Sequence, residues 1–270
     1  MACRNTYKIN YNAELGDIDV TKLQITKHSV PETVSRLLFG VNSETRSDNL
    51  LQNNVDQFEW VLKNKIYPNF WGRELLGENA ITKEEIDFLH DKGCKIALFC
   101  SCSGSTNTEE DGMALARKVV EKADSLGITE GTAIFMVISE DETVSKACMC
   151  GYAKVLMLAG FAPGFKANTD AKFSFDREFC RGIQSNKDIF DKCLIWAVSP
   201  SLPEYDRMTD AHLIHPDNWT PFAPSAISRK EIAIWQYGRN CHPICDNNDE
   251  PTSFNLDLVR NEDVIIKKMF

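Results

Sequence analysis

Thr132–Ile138 reads TAIFMVI, and its apolar residues do not alternate with polar ones. A strand buried on one face alternates, whereas a strand covered on both faces reads as a continuous apolar run, as in parallel sheets flanked by helices. A doubly wound open sheet and a closed barrel both explain such a run. The choice between them rests on what lies on either side.

Seven further short runs have strand character: Leu37–Val41, Ile66–Gly72, Lys95–Phe99, Gly164–Ala167, Leu194–Val198, Glu231–Trp235 and Phe254–Leu258. Capped helical patterns fall between them. Thr82 with Glu85 has the spacing of a capping box, Ile81 and Ile86 that of a hydrophobic staple, and Gly93 suits a left-handed C-terminal cap, which predicts a helix over 83–92. Thr108 with Asp111 repeats the box. Met113, Ala116, Val119, Val120, Ala123 and Leu126 then share one face up to Gly127. Val144, Ala147, Cys148, Gly151, Val155 and Leu158 form another stripe, ended by Gly160.

Eight strands with helices outside them favour the closed barrel. The expected fold is therefore α/β, a single parallel (β/α)8-type barrel over residues 36–270, behind an N-terminal extension at 1–35 that has no sustained period. Ser199–Ser228 carries five prolines and little periodicity, and reads as a long loop over one barrel mouth.

Composition narrows the function. Apolar residues make up 43% of the 270, enough for a sizeable core. Thirty basic against 39 acidic side chains leave a net charge of −9, which repels nucleic-acid phosphates and anionic lipid, so neither nucleic acid nor membrane is an expected partner. No apolar run approaches the roughly 18 residues that span a bilayer. The opening MACRNTYKINYNAELG lacks the apolar stretch of a secretory signal, which makes the cytoplasm the default location, with export by another route as the alternative. The ten cysteines read as buried thiols. Phosphate-binding loops, nucleophile elbows and paired metal-ligand spacings are missing, so no cofactor and no metal are expected.

In a barrel of this kind, residues just beyond each strand converge on one mouth. They are Asn42 and Glu44, Arg73 and Glu74, Ser139 to Glu142, Asn168 and Asp170, Trp196 and Ser199, Trp235 and Gln236, and Asn255 with Asp257. Carboxylates, amides and aromatic faces together suit a carbohydrate. Each has a plainer reading too. Glu140–Glu142 also caps a helix N-terminus, Arg73 also serves as a buried clamp, and Trp196 and Trp235 also serve as core.

Phe39-Gly40-Val41-Asn42, Phe70-Trp71-Gly72-Arg73, AIFMVISED at 133–141, FAPGFKAN at 161–168, Ile195-Trp196, Ile234-Trp235-Gln236-Tyr237 and Phe254-Asn255-Leu256-Asp257 follow one another in a familiar order. Over about residues 37–262 the chain resembles the glycoside-hydrolase-like barrels related to family 25 muramidases, the Chalaropsis-type lysozymes. The resemblance implies a (β/α) barrel and, for active relatives, cleavage of peptidoglycan or another glycan by carboxylates without a metal. It also marks departures. Asn42 and Asn255 stand where active relatives carry aspartates. The central acidic pair falls on Val137 and Ser139 in one register and on Ser139 and Asp141 in the other, and is broken in both.

Two functions are compatible with this pattern. One is a degenerate, non-catalytic barrel that binds a peptidoglycan-like glycan or a protein. In that case Asn42, Arg73, Ser139, Asn168, Trp196, Trp235, Gln236, Asn255 and Asp257 are the expected contacts. The other is an active muramidase-type hydrolase with Glu140 or Asp141 as the acid, supported by Arg73 and Asp257.

Overall fold

A computed structural model describes residues 37–51, 54–63, 66–102, 105–201, 207–208, 219–243, 254–260 and 264–270. The expected N-terminal extension lies outside them. The strands are β1 (Leu37–Asn42), β2 (Phe70–Glu74), β3 (Lys95–Ser101), β4 (Ala133–Ile138), β5 (Ala162–Asn168), β6 (Leu194–Val198), β7 (Arg207–Met208), β8 (Ile232–Pro243) and β9 (Phe254–Arg260). The helices are α1 (Gln57–Lys63), α2 (Lys83–Asp91), α3 (Glu109–Ser125), α4 (Lys146–Leu158), α5 (Ser174–Ser185) and α6 (Lys187–Phe190).

β1 to β6 pair in sequence order, all parallel, and β6 pairs in parallel with β8. β9 then closes the barrel between β8 and β1, antiparallel to both. The expected closed α/β barrel is present, with its last strand reversed. The reason lies in β8, which continues past Trp235 to Pro243 and leaves only residues 244–253 before β9. A parallel return needs a crossover of a dozen or more residues, whereas an antiparallel one needs only a short connection. The two-residue β7 pairs with β8 inside the region expected to be a long loop.

Two cores result. Phe70, Phe99, Phe135, Trp196, Ile234 and Val259 fill the barrel interior, while a larger cluster packs between the strands and the helices. Space inside is tight: a side chain at Gly40 would collide with the Phe70 ring, and one at Gly164 with the Phe135 ring. Outside, α3 and α4 touch backbone to backbone, with Gly112 against the Cys148 carbonyl and Gly151 against that of Glu109.

The Thr108–Asp111 capping box forms as the spacing predicts. At α2 only half of the box forms. The Thr82 hydroxyl accepts from Glu85 N at 3.3 Å, but the Glu85 carboxylate turns inward to Arg73 instead of returning to the cap. β2 starts at Phe70 rather than Ile66, because Pro68 has no N–H to give a ladder. None of the described helices is long and apolar enough to cross a membrane.

Candidate functional site

The strand pleat decides which residues enter the lumen. Register pairs Asn42 at the end of β1 with Gly72 of β2 on one side and Asn255 of β9 on the other. Gly72 has no side chain, and an added Cβ there would lie 2.5 Å from Asn42 Cβ and 2.8 Å from Trp196 Cη2. Asn42 therefore sits deep, 2% exposed, at the centre of a hydrogen-bonded cluster. Its Nδ2 donates to Asp257 Oδ2 at 2.6 Å and to Gln236 Oε1 at 3.3 Å. Its Oδ1 accepts from Lys166 Nζ and Asn255 Nδ2, both at 2.9 Å. Trp196 Nε1 donates to the other Asp257 oxygen at 2.8 Å.

Asp257 is fully buried. Burial pushes its carboxyl up to about 6, against the downward pull of the Lys166 charge and the hydrogen bonds from Asn42 and Trp196. Lys166 is the matching case of opposite sign: burial drives its ammonium down to about 8, opposed chiefly by Asp257. The ammonium lies 4.4 Å from the centre of the Phe99 ring and 4.3 Å from that of Trp196.

Above this cluster, at the C-terminal ends of the strands, two adjoining cavities of about 370 and 430 Å³ open. Glu44, Val137, Lys166 and Asn255 line both. Ser139, Glu140, Asp141, Asn168, Gln236 and Arg239 wall the first, and Asn42, Glu74, Glu78 and Phe99 belong to the second. The mouth is thus polar and acidic at its rim, with one lysine at its floor. β8 reaches it through bulges around Gly238 and a left-handed Asn240 (φ 50°), where Asn240 N donates to Asn255 Oδ1 at 3.0 Å.

Of the residues the sequence singles out, Asn42, Ser139, Glu140, Asp141, Asn168, Gln236 and Asn255 line this mouth. Asp257 and Trp196 lie beneath it, both at 0% exposure. Trp196 therefore offers no free face to a sugar. Arg73 and Trp235 do not reach the mouth. Arg73 follows the inward-facing Gly72, so the pleat turns it outward. There its guanidinium donates to the carbonyls of Ser43, Glu44 and Asn79 and lies 2.8 Å from Glu85 Oε1. Trp235 packs edge-on to Trp219 and Tyr237 behind the sheet and donates to Ser199 O at 2.9 Å.

At the end of β4, Val137 and Ser139 line the cavity, and neither side chain is an acid. Glu140 is held by Arg239 at 2.7 Å and Asn168 at 2.8 Å. Partial burial works upward on its carboxyl, but those two hydrogen bonds and the nearby positive charges outweigh it and leave Glu140 below the usual range. Lys166 and Arg239 are absent from the sequence expectation. A lysine in the otherwise apolar GFKA stretch, two residues from Gly164 and two from Asn168, carries the signal for the first. None of the described cysteines lines either cavity, and burial raises the Cys100 thiol to about 12.

No family model matches the chain, and no curated protein is similar to it. Among solved structures, an uncharacterized B. stearothermophilus protein is similar at 23% identity with a TM-score of 0.70, over 86% of this chain and 100% of that one, and shares the fold. A muramidase from Acremonium alcalophilum is similar at 11% identity and a TM-score of 0.49, over 86% of this chain and 97% of that one. A family GH25 lysozyme from Aspergillus fumigatus gives 11% identity and a TM-score of 0.47, over 86% and 98%.

Proposed function

We propose that this chain is a glycoside-hydrolase-like barrel that binds a peptidoglycan-like glycan in its mouth without hydrolysing it. One observation carries the reading. The strand-end positions at which the sequence resemblance calls for acids include Asn42, Ser139 and Asn255 in either register of the central pair, and all three line the mouth as neutral groups; the fourth is Val137 in one register and Asp141 in the other, so at most one acid of the set is kept. Glycoside cleavage needs a proton donor beside a base or nucleophile, and amides and a hydroxyl supply neither at neutral pH. Asn42 spends its amide on Asp257, Gln236, Lys166 and Asn255, so what the mouth offers sugar hydroxyls is the Ser139 hydroxyl and the second N–H and lone pair of Asn255, within an open cavity.

The hydrolase alternative assigns the acid to Glu140 or Asp141. The ion pair with Arg239 counts against Glu140, since a carboxyl held ionised is a poor donor. Isothermal titration of the protein with muropeptides and chitooligosaccharides tests the binding claim. Saturable heat that is lost in Asn255→Ala supports it, and the absence of binding to either series refutes it in favour of a protein partner.

A further inference from the structure

Glycan binding leaves Lys166 unexplained. Its side chain lines both cavities yet is only 7% exposed, so its amine meets the mouth from a largely buried floor. Nζ donates to one oxygen, Asn42 Oδ1, which Asn255 also occupies. Among the described residues no carboxylate comes within 4.0 Å of it. Asp257 acts across the Asn42 amide, and Glu74, Glu44 and Arg239 are the other charges felt by the amine. A lysine kept only to balance Asp257 has no need to face open space.

We propose that Lys166 is an imine-forming amine that takes the open-chain carbonyl of a small neutral hydroxy-aldehyde or hydroxy-ketone entering the mouth. Desolvated lysines are the ones that act as carbonyl nucleophiles, because a useful share of them is uncharged near neutrality. Glu44, Glu74, Glu78 and Asp141, beside the mutually paired Glu140 and Arg239, leave the rim net negative, which repels anionic keto acids and so selects neutral carbonyl compounds.

The chemistry balances without another reactant. The free amine adds to the carbonyl carbon, forming a C–N bond while the C=O π pair moves to oxygen, and a proton passes from nitrogen to oxygen to give a carbinolamine. The carbinolamine hydroxyl takes up from solvent the proton that the ammonium first released to it and leaves as water with its bonding pair, and the nitrogen lone pair forms C=N. In sum, ammonium and carbonyl give a protonated imine and water. The amide at position 42 is part of the device, since a carboxylate there would sit beside Nζ and hold it as ammonium.

The test is reductive trapping of the full chain with glycolaldehyde and cyanoborohydride, read by peptide mapping at low conversion, and it does not depend on glycan binding. An amine titrating near 8 is roughly one-quarter free at about pH 7.5, against about one part in a thousand for an ordinary lysine. Lower basicity offsets part of that advantage, which leaves an expected labelling rate roughly tenfold or more above that of exposed Lys83. Asn42→Asp should cut Lys166 labelling about tenfold at that pH and restore it above about pH 9.5. Lys166→Arg should remove the fast-reacting site while thermal melting reports that the fold is kept. Should Asn42→Asp fail to fold, the wild-type profile decides, with a labelling midpoint near 8 for Lys166, well below that of a free lysine side chain. Labelling of Lys166 no faster than Lys83, or a midpoint shared with the exposed lysines, overturns the proposal.

Discussion

Replacing Glu85 by alanine removes the carboxylate that fastens the loop after β1 to the rest of the scaffold. Glu85 Oε1 accepts from Ser47 N at 2.7 Å and Ser47 Oγ at 2.9 Å, and lies 2.8 Å from Arg73 Nε, with both charged side chains at 0% exposure. Arg73 in turn donates to the carbonyls of Ser43 and Glu44, so the pair pins the segment that leads out of Asn42. Breaking a buried pair by deleting one partner leaves an uncompensated charge and typically costs about 3–5 kcal/mol. At roughly 2–4 °C per kcal/mol for a chain of this size, Glu85→Ala should lower Tm by roughly 6–20 °C. Urea unfolding followed by tryptophan fluorescence and by circular dichroism measures the loss. Arg73→Met alone should cost a similar amount, because three carbonyls then lose their donor and Glu85 its buried counter-charge. A loss below about 1 kcal/mol for Glu85→Ala, the level of an exposed pair, would refute the idea that this pair anchors the mouth.

Asp257 binds its proton more tightly in the folded protein, near 6, than its ordinary 3.8. Its contribution to stability is thus fully present below about pH 4 and lost as pH rises through about 6, a change of about 3 kcal/mol. Urea midpoints across that range should show this slope in the wild type and not in Asp257→Asn. Lys166 has the opposite displacement, down to about 8, so the wild type should gain stability between about pH 8 and 10.5 as the unfolded chain holds its proton longer. Lys166→Met should flatten that rise in the same urea series. Gly112→Ala forces a methyl into the Cys148 carbonyl where α3 crosses α4, and should lower the urea midpoint by an amount equivalent to about 1–3 kcal/mol or more.

The barrel was legible because its central strands are covered on both faces: AIFMVI in β4 and the stop–start pattern of capped α2, α3 and α4 point the same way. The reversed last strand was not, since the expected end of β8 at Trp235 left room for a helical crossover that the extra residues to Pro243 remove. α5 carries a strongly amphipathic pattern, with Phe175, Phe179 and Gly182 on its buried face, but it has no side-chain N-cap of the kind that marks α2, α3 and α4. At the site, chain order alone placed Asn42, Ser139 and Asn255 at one mouth. It did not place Arg73 and Trp235 behind the sheet, because a strand-end position says nothing of which way the pleat turns. Nor did it weigh Lys166, whose charge becomes informative only once Asn42, Phe99 and Trp196 are seen to enclose it.

The most direct test of a binding mouth without hydrolysis is release of reducing ends from peptidoglycan by wild type beside the double variant Asn42→Asp, Asn255→Asp. Both should remain at the level of the protein-free blank under conditions where titration of the wild type gives saturable heat, because Ser139 belongs to the central pair in either register and still leaves that pair broken. Wild-type turnover that falls roughly 10²-fold or more in Glu140→Gln or Asp141→Asn would contradict this and identify the chain as a working hydrolase.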